Sequence, residues 1–435
     1  MTVMRYGEMK DSGVEWIGLV PKDWIICPAG AFFKEVKTKN TDNKYSNPFS
    51  FKYGEIVDKV ITGGIDEDVE ETLSAYRVVK PNTIMINGLN LNYDFISQRV
   101  AIVRNEGIIT SAYLAIQPNE KEISPNFAVY LFKAYDHRQV FHGNGSGVRK
   151  TLKFSDFKSI PVIVPHYELQ ERIVCYLDDQ CGQIDDIISS TKSVIEEYKQ
   201  WKASVIFEAV TKGLDPSVPM KDSGVEWIGA VPNDWKITKA KRFMMLMNGD
   251  RTSRYPQGAE FLSDGIPFLS AYNLNSDTVD TNNCRFISED KYNSLAGAKI
   301  QINDIIFCLR GAGVGKCAIN LTAQKGTIAS SLVAIRPINI YSKFLLYILL
   351  SDICMSQTLI DSNGSCADNL SADSVANFVI PIPPKQKQND IANYLDTRCA
   401  EIDSIIAEKE SLIADLESYK KSLIYETVTG KRKVA

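Results

Sequence analysis

The chain has 435 residues, 44% apolar and 23% charged, with a formal net charge of −4; these are ordinary proportions for globular protein, with room for two to four domains. No run of 18 apolar residues occurs, and Met1-Thr-Val-Met-Arg-Tyr-Gly lacks an apolar leader core, so neither a spanning helix nor a secretory signal is expected. Nine scattered cysteines without a Cys-x-x-Cys pair suit reduced thiols in a cytoplasmic protein and argue against a disulfide framework or a zinc site.

Residues 10–18 read Lys-Asp-Ser-Gly-Val-Glu-Trp-Ile-Gly, and residues 221–229 repeat all nine. Each copy runs on into Val-Pro-x-Asp-Trp, ending at Trp24 and Trp235. An identity of this length, 211 residues apart, marks an internal repeat, which has to be settled before any local reading.

Residues 25–160 follow the first copy. Thr83–Asn87, Val100–Val103 and Tyr113–Ile116 read as short strands, and Asn126–Tyr135 as an amphipathic helix. Gly63-Gly64 and Gly143–Gly147 read as loops. The second half repeats the order: strands at Asp304–Leu309 and Leu332–Arg336, a helix at Lys343–Leu350, and a late loop at Asn363-Gly364-Ser365. Both modules are therefore mixed α/β. Each ends in a Pro-bounded strand, Ile160–Pro165 and Phe378–Pro384.

The period then changes. From Leu177 the apolar-side positions alternate steps of four and three through Cys181, Ile184, Ile188, Thr191, Ile195, Tyr198, Lys202, Val205 and Ala209, a heptad seam. The second copy runs from Leu395 through Cys399, Ile402, Ile406, Lys409, Ile413, Leu416, Lys420 and Leu423 to Thr427, now offset by 218. Gly213 with Pro216, and Gly430, supply the stops. A helix over 166–212 would be roughly 70 Å long, too long for one small module to cover. The two long helices are expected to pair antiparallel as an intramolecular coiled coil, the alternative being another chain's helices; Thr191, Lys202, Lys409 and Lys420 could set register or dock a partner, and the lysines are expected to reach out to solvent. The predicted organisation is a pseudo-twofold repeat with boundaries at 1–160, 161–215, 216–380 and 381–435.

Charge is uneven. Residues 25–160 carry 17 basic and 15 acidic side chains, and residues 236–380 carry 14 and 12, so each module is net +2. The helix segment 161–215 is net −5. The modules are the parts suited to a polyanion.

The doubled Gly-Val-Glu-Trp-Ile-Gly-x-Val-Pro-x-Asp-Trp opening resembles the specificity subunit of type I restriction–modification systems. So do the Pro-x-x-x-x-Gln-x-x-Ile-x-x-Tyr-Leu-Asp start of each helix and the Glu208-Ala-Val-Thr-Lys-Gly-Leu ending of the first. The second helix start, Lys385-Gln-Lys-Gln-Asn, departs from the pattern in lacking the acidic residue found at Glu168. The resemblance spans the whole chain. It implies two target-recognition domains that each read half of a bipartite double-stranded DNA site. It implies helices that space the half-sites and dock two methyltransferase subunits, with restriction/translocase subunits joining and no membrane involved. S-adenosylmethionine and ATP/Mg are then expected in those partners and no cofactor in this chain.

Catalytic readings fare poorly. Phe141-His-Gly-Asn-Gly145 matches Phe-x-Gly-x-Gly of methyltransferases, yet no Asn/Asp-Pro-Pro-Tyr/Phe tetrapeptide accompanies it. Arg310-Gly-Ala-Gly-Val-Gly-Lys316 misses the phosphate-loop spacing and has Cys317 where Ser or Thr is needed. A methyltransferase or nuclease fragment, or a purely structural coiled-coil scaffold, are the alternative readings. Candidate DNA contacts are Lys52, Tyr53, Tyr272 and Asn273, which follow equivalent Pro-Phe strands that approach DNA in the family. Asn90, Asn92 and Arg99 offer forks for base edges. Arg149, Lys150, Arg251 and Arg254 are candidate phosphate contacts, as are Arg310 and Lys316 around a glycine loop whose amides would assist them; the bland alternative for that loop is a surface turn.

Overall fold

A computed structural model of the chain describes residues 6–59, 72–95, 98–147, 150–275, 277–362 and 369–434. The expectations for Gly63-Gly64, Arg149 and Asn363-Gly364-Ser365 lie outside the described residues. The fold divides into two compact units, the first comprising Met1–Lys192 with Glu410–Ala435 and the second Ser193–Lys409. Among the described residues no helix is long and apolar enough to cross a membrane.

In the first unit the repeated nonapeptide is a hairpin, Met9–Asp11 against Leu19–Pro21. Side chains of the short polar residues close it: Gly13 N donates to Asp11 Oδ1 at 3.0 Å and Val14 N to Ser12 Oγ at 3.2 Å. Gly13 and Gly18 take φ of +69° and +68°, which a side chain would strain. Lys10 Nζ donates to Trp24 O at 2.6 Å, and the Trp24 ring is buried. The main sheet runs in the order Phe33–Glu35, Leu114–Pro118, Ile84–Ile86, Val100–Ile102, all antiparallel. Side chains alternate across it. Ile84, Ile86 and Ile116 enter the core under the helix Pro125–His137, while Met85 and Ala115 enter a second core with Phe49 and Val79. Both faces are covered, which is why these strands read as continuous apolar runs. Residues 143 and 144, expected in a loop, instead belong to a short helix, Val140–Asn144. Buried Phe141 and His142 pull this turn onto the core, and Asn144 Nδ2 closes it on Val140 O at 2.8 Å.

The motif at the start of the first long helix, Tyr167–Lys212, is a clamp. Buried Gln170 accepts from Ser124 N at 2.7 Å and donates to Pro165 O at 2.9 Å. It thereby ties the N-cap of the module helix to the long helix. One face further on, Tyr130 donates to Asp178 at 2.6 Å.

The second unit repeats this frame. Met220–Asp222 pairs with Ala230–Pro232, and Lys221 Nζ donates to Trp235 O at 2.7 Å. Its sheet has six strands, ordered Met244–Asn248, Leu332–Pro337, Ile305–Cys308, Cys317–Ile319, Thr278–Val279, Leu274–Asn275. Gln388, at the start of the second long helix Lys385–Val428, accepts from Tyr341 N at 2.9 Å and donates to Pro383 O at 3.0 Å. Tyr347 donates to Asp396 at 2.8 Å, and Lys343 pairs with the same carboxylate.

Each unit contains segments of both long helices, and in each they run antiparallel. In the first unit Asp185 meets Lys420 at 2.6 Å, and Arg432, just past the end of the second helix, lies against Tyr176. In the second, Lys202 meets Asp403 at 2.6 Å and Tyr198 lies against Lys409. The two ion pairs are the same pair written twice, since Asp185 and Asp403, like Lys202 and Lys420, are 218 residues apart. These two seam lysines do not simply reach out to solvent, as expected above. An aspartate of the partner segment captures each, which selects one antiparallel register. The helices stop at Gly213 and Gly430, with φ of +75° and +71°; Trp235 packs on the first and Trp24 on the second.

The clamp carries a prediction. Gln388→Ala leaves the buried Pro383 C=O and the part-buried Tyr341 N–H without their partner and should cost about 1–3 kcal/mol. Urea denaturation checks it; wild-type stability in the variant would show the amide to be dispensable.

Candidate nucleic-acid interface

In the first unit the strands Phe49–Lys52 and Glu55–Asp58 form a hairpin whose last pair is Lys52 with Glu55. That leaves Tyr53-Gly54 as a two-residue turn with φ of +50° and +78°, the primed geometry that matches strand twist. A tyrosine in the left-handed region is unusual, and its side chain is 92% exposed. Lys52 is also exposed. A Cβ placed on Gly54 would fall 2.6 Å from Gln98 Oε1, so the hairpin tip sits against the residue before Arg99, the last of the next candidates.

The loop that carries the other two runs through Asn87–Phe95. Asn90 is exposed and left-handed at φ +52°, and Asn92 is half-buried beside it. Leu91 N donates to Lys150 O at 3.1 Å, which brings exposed Lys150 alongside. Asn90 and Lys150 therefore adjoin, and Lys52 and Tyr53 stand on a hairpin tip that meets Gln98, after the same loop. Two residues that sequence reasoning passed over belong to that loop as well: Tyr93, 76% exposed, and Phe95, exposed and stacked on His142 at 5.0 Å. The available signal was the alternation of amides and aromatics in Asn90-Leu-Asn-Tyr-Asp-Phe95.

Arg99 has a different role from the one expected. Its side chain is 1% exposed, and its guanidinium donates to Asn87 O at 2.8 Å, Leu89 O at 2.9 Å and Asp94 O at 2.6 Å. It is the post around which the loop is wound, with no fork left for a base edge. Asp136 lies behind it and accepts from Arg99 N at 2.9 Å. Burial pushes the Asp136 carboxyl up to about 6, against the opposing pull of Arg99 and His142.

In the second unit Tyr272 stands on the turn Ala271–Asn273 after the strand Ile266–Leu269, again 92% exposed. Asn273 is a further correction. It is buried, accepts from Ser270 N at 2.8 Å, and donates to Asp280 O at 3.3 Å and Asn283 O at 3.1 Å; its amide holds the turn closed. The glycine loop between Ile305–Cys308 and Cys317–Ile319 lies against the same turn: a Cβ on Gly313 would come within 3.8 Å of Ala271 Cβ. Arg310 and Lys316 at the two ends of the loop are exposed. The amides of Val314, Gly315 and Lys316 are already spent on Gly311 O, Cys308 O and Gly313 O. A full amide cradle is therefore excluded, and the loop's cationic side chains carry any phosphate contact. Arg251 and Arg254 are exposed on the inserted segment, where Arg254 donates to Ser294 O at 2.9 Å. Asp250 anchors that segment. Burial acts to raise its carboxyl, but hydrogen bonds from Thr252, Ala296 and Gly297 hold it below the usual range.

Both clusters combine an exposed tyrosine ring, amide or hydroxyl groups, and lysine or arginine at the margin. Chemically that set stacks on or abuts bases, reads base edges, and neutralises phosphates.

Comparison with known proteins agrees with the doubled architecture. The model of the type I restriction modification DNA specificity domain matches twice, over residues 29–197 and 232–413. The type I restriction enzyme MjaVIII specificity subunit of Methanocaldococcus jannaschii is 23% identical over 426 residues, covering 95% of this chain and 94% of its own. The EcoBI specificity subunit of Escherichia coli is 23% identical over 324 residues, covering 72% of this chain and 67% of its own. A chain solved in work on complex assembly and conformational transition of the type I R-M system has a similar fold, with a TM-score of 0.71 at 15% identity over 94% of this chain and 98% of that one.

Proposed function

Because the chain belongs to the type I restriction–modification DNA specificity family, we propose that it reads a bipartite duplex site, one half-site for each module. One observation carries this reading. The two units share a frame down to the Gln170/Gln388 clamp, yet differ in the loops that the frame presents. Asn90, Tyr93 and Lys150 stand in one, Tyr272, Arg310 and Lys316 in the other. Two methyltransferase subunits dock on the long helices, which serve as spacer between half-sites, and restriction/translocase subunits complete the complex. S-adenosylmethionine and ATP/Mg act in those partners, in the cytoplasm. This chain supplies recognition and assembly without catalysis. Purified alone it should transfer no methyl group to DNA, and should support transfer once methyltransferase subunits are added; methyl transfer by the chain alone would overturn the division of labour.

The reading is tested by competition titration across single-base variants of a bound duplex at two salt concentrations. Asn90→Gly removes the amide while keeping the left-handed backbone, and should cost about 1–3 kcal/mol at one base pair if the amide grips adenine. Lys150→Ala should weaken all sequences alike and reduce the salt slope by about one. A selective effect from Lys150→Ala, or a uniform one from Asn90→Gly, would reverse these roles.

A further inference from the structure

A cavity of about 630 Å³ opens in the first unit, between the helix Pro125–His137 and that unit's segments of the two long helices. Its cations come from distant parts of the chain. Lys133 and His137 lie one turn apart on the module helix, Lys420 and Lys421 come from near the C-terminus, and Arg99 and Lys192 also line the cavity. Acids are present as well: Asp185 holds Lys420, Asp178 accepts from Tyr130, Asp136 accepts from Arg99 N, Glu417 is exposed at the rim, and Glu55 acts on Lys133 from a distance. Half-buried Lys133 and exposed Lys421 make no hydrogen bond or ion pair among the described residues. The crowding has an electrostatic consequence. Burial first, then Lys420, lowers the Lys133 ammonium below its usual range. His137 is exposed as a residue, yet desolvation of its ring, then Lys421, Lys133 and Lys420, push it down to about 4.

The frame does not require this cluster. Aligning Tyr130 with Tyr347 puts Leu350 and Cys354 where Lys133 and His137 stand, and aligning the long helices puts Ala203 at the place of Lys421. The second unit builds the same clamp without these cations. Among the described residues Lys133 and Lys421 have no ion-pair partner of their own, and His137 faces three ammonium groups, so an anion seated among them would offset their mutual repulsion.

We propose that this cavity seats a tetrahedral phosphate-class oxyanion, held by Lys133 and Lys421 beside Lys420. The seat stands independently of the DNA reading; only the source of the phosphate, a backbone phosphodiester or free phosphate, depends on it. The test titrates inorganic phosphate into the full chain and follows the imidazole resonances by NMR, with His137 assigned through His137→Asn. Saturable shifts and a rise of His137 by at least about one pH unit are expected, since an added negative charge favours imidazolium. Lys133→Leu with Lys421→Ala, which adopt the side chains of the second repeat, should abolish both effects while leaving the thermal transition intact. A His137 resonance that does not move with phosphate, or moves equally in the double variant, overturns the proposal. A duplex then assigns the source. If the double variant loses about one to two units of salt slope, the seat holds backbone phosphate; an unchanged slope assigns it to free phosphate. A wild-type chain that binds no duplex would defeat the DNA reading, and the phosphate titration would still decide the seat.

Discussion

Arg99→Met is expected to destabilise the first unit by about 3–5 kcal/mol, the range for removing one partner from a buried charged network. Methionine preserves most of the volume, so the loss is electrostatic rather than a cavity effect. Three carbonyls of the Asn87–Asp94 loop lose their donor, and Asp136 loses the nearest cation. The loop carries Asn90 and Tyr93, so recognition by the first module should fall with it while the second module keeps its half-site. The pH dependence has a definite sign. Asp136 already sits above the ordinary carboxylate value, at about 6, so the folded state favours its protonated form. The stability tied to protonation is full at low pH and is lost as pH rises through about 6. Without Arg99 the folded value rises further, and the penalty of the bare carboxylate is felt only where it must ionise. The gap between wild type and variant should therefore be smaller at pH 5 than at pH 8. Urea denaturation at the two values measures it; an equal gap, or a variant as stable as wild type, would show that Arg99 does not hold the loop.

The same residue shows where sequence reading stops. The strands at Ile84–Ile86, Val100–Ile102 and Leu114–Pro118 and the helix Pro125–His137 were legible, because apolar spacing along the chain is what places them. The clamp glutamines and the aspartates Asp178 and Asp396 were visible as letters shared by both halves, although their partners were not. The nonapeptide hairpin left no periodic signal, since its strands are three residues long. Arg99 and Asn273 carry suitable chemistry for base edges, but the loops fold around them and consume their donors. Tyr53 and Tyr272 were legible because the repeat placed them at equivalent sites, and both emerge nearly fully exposed. The lysines of the cavity come from the first module and from both long helices, far apart in the sequence, so no local charge run announces them.

Replacing residues 240–378 by residues 29–160 of the same chain is expected to produce a protein whose two half-sites carry one sequence. The junctions are physically matched. Ala29 N donates to Ile160 O at 2.8 Å, and Ala240 N donates to Phe378 O at the same 2.8 Å, each just inside an antiparallel pair of strands. The incoming module brings Ser124 N for Gln388 and Tyr130 for Asp396, so both clamps can form again. It loses the Lys343–Asp396 pair, a partly exposed contact worth about 0–1 kcal/mol. The frame should therefore survive, and the change should fall on recognition. Each mismatched base pair costs about 1–3 kcal/mol, so half-sites differing at two positions separate the duplexes by about 2–6 kcal/mol. The parent should prefer a duplex carrying two different half-sites, and the exchanged chain one carrying the first half-site twice, in competition titrations at fixed salt. If the exchanged chain folds and still prefers the parental duplex, the reading elements lie outside residues 29–160 and 240–378, and the loop clusters of Tyr53 and Tyr272 are not where specificity resides.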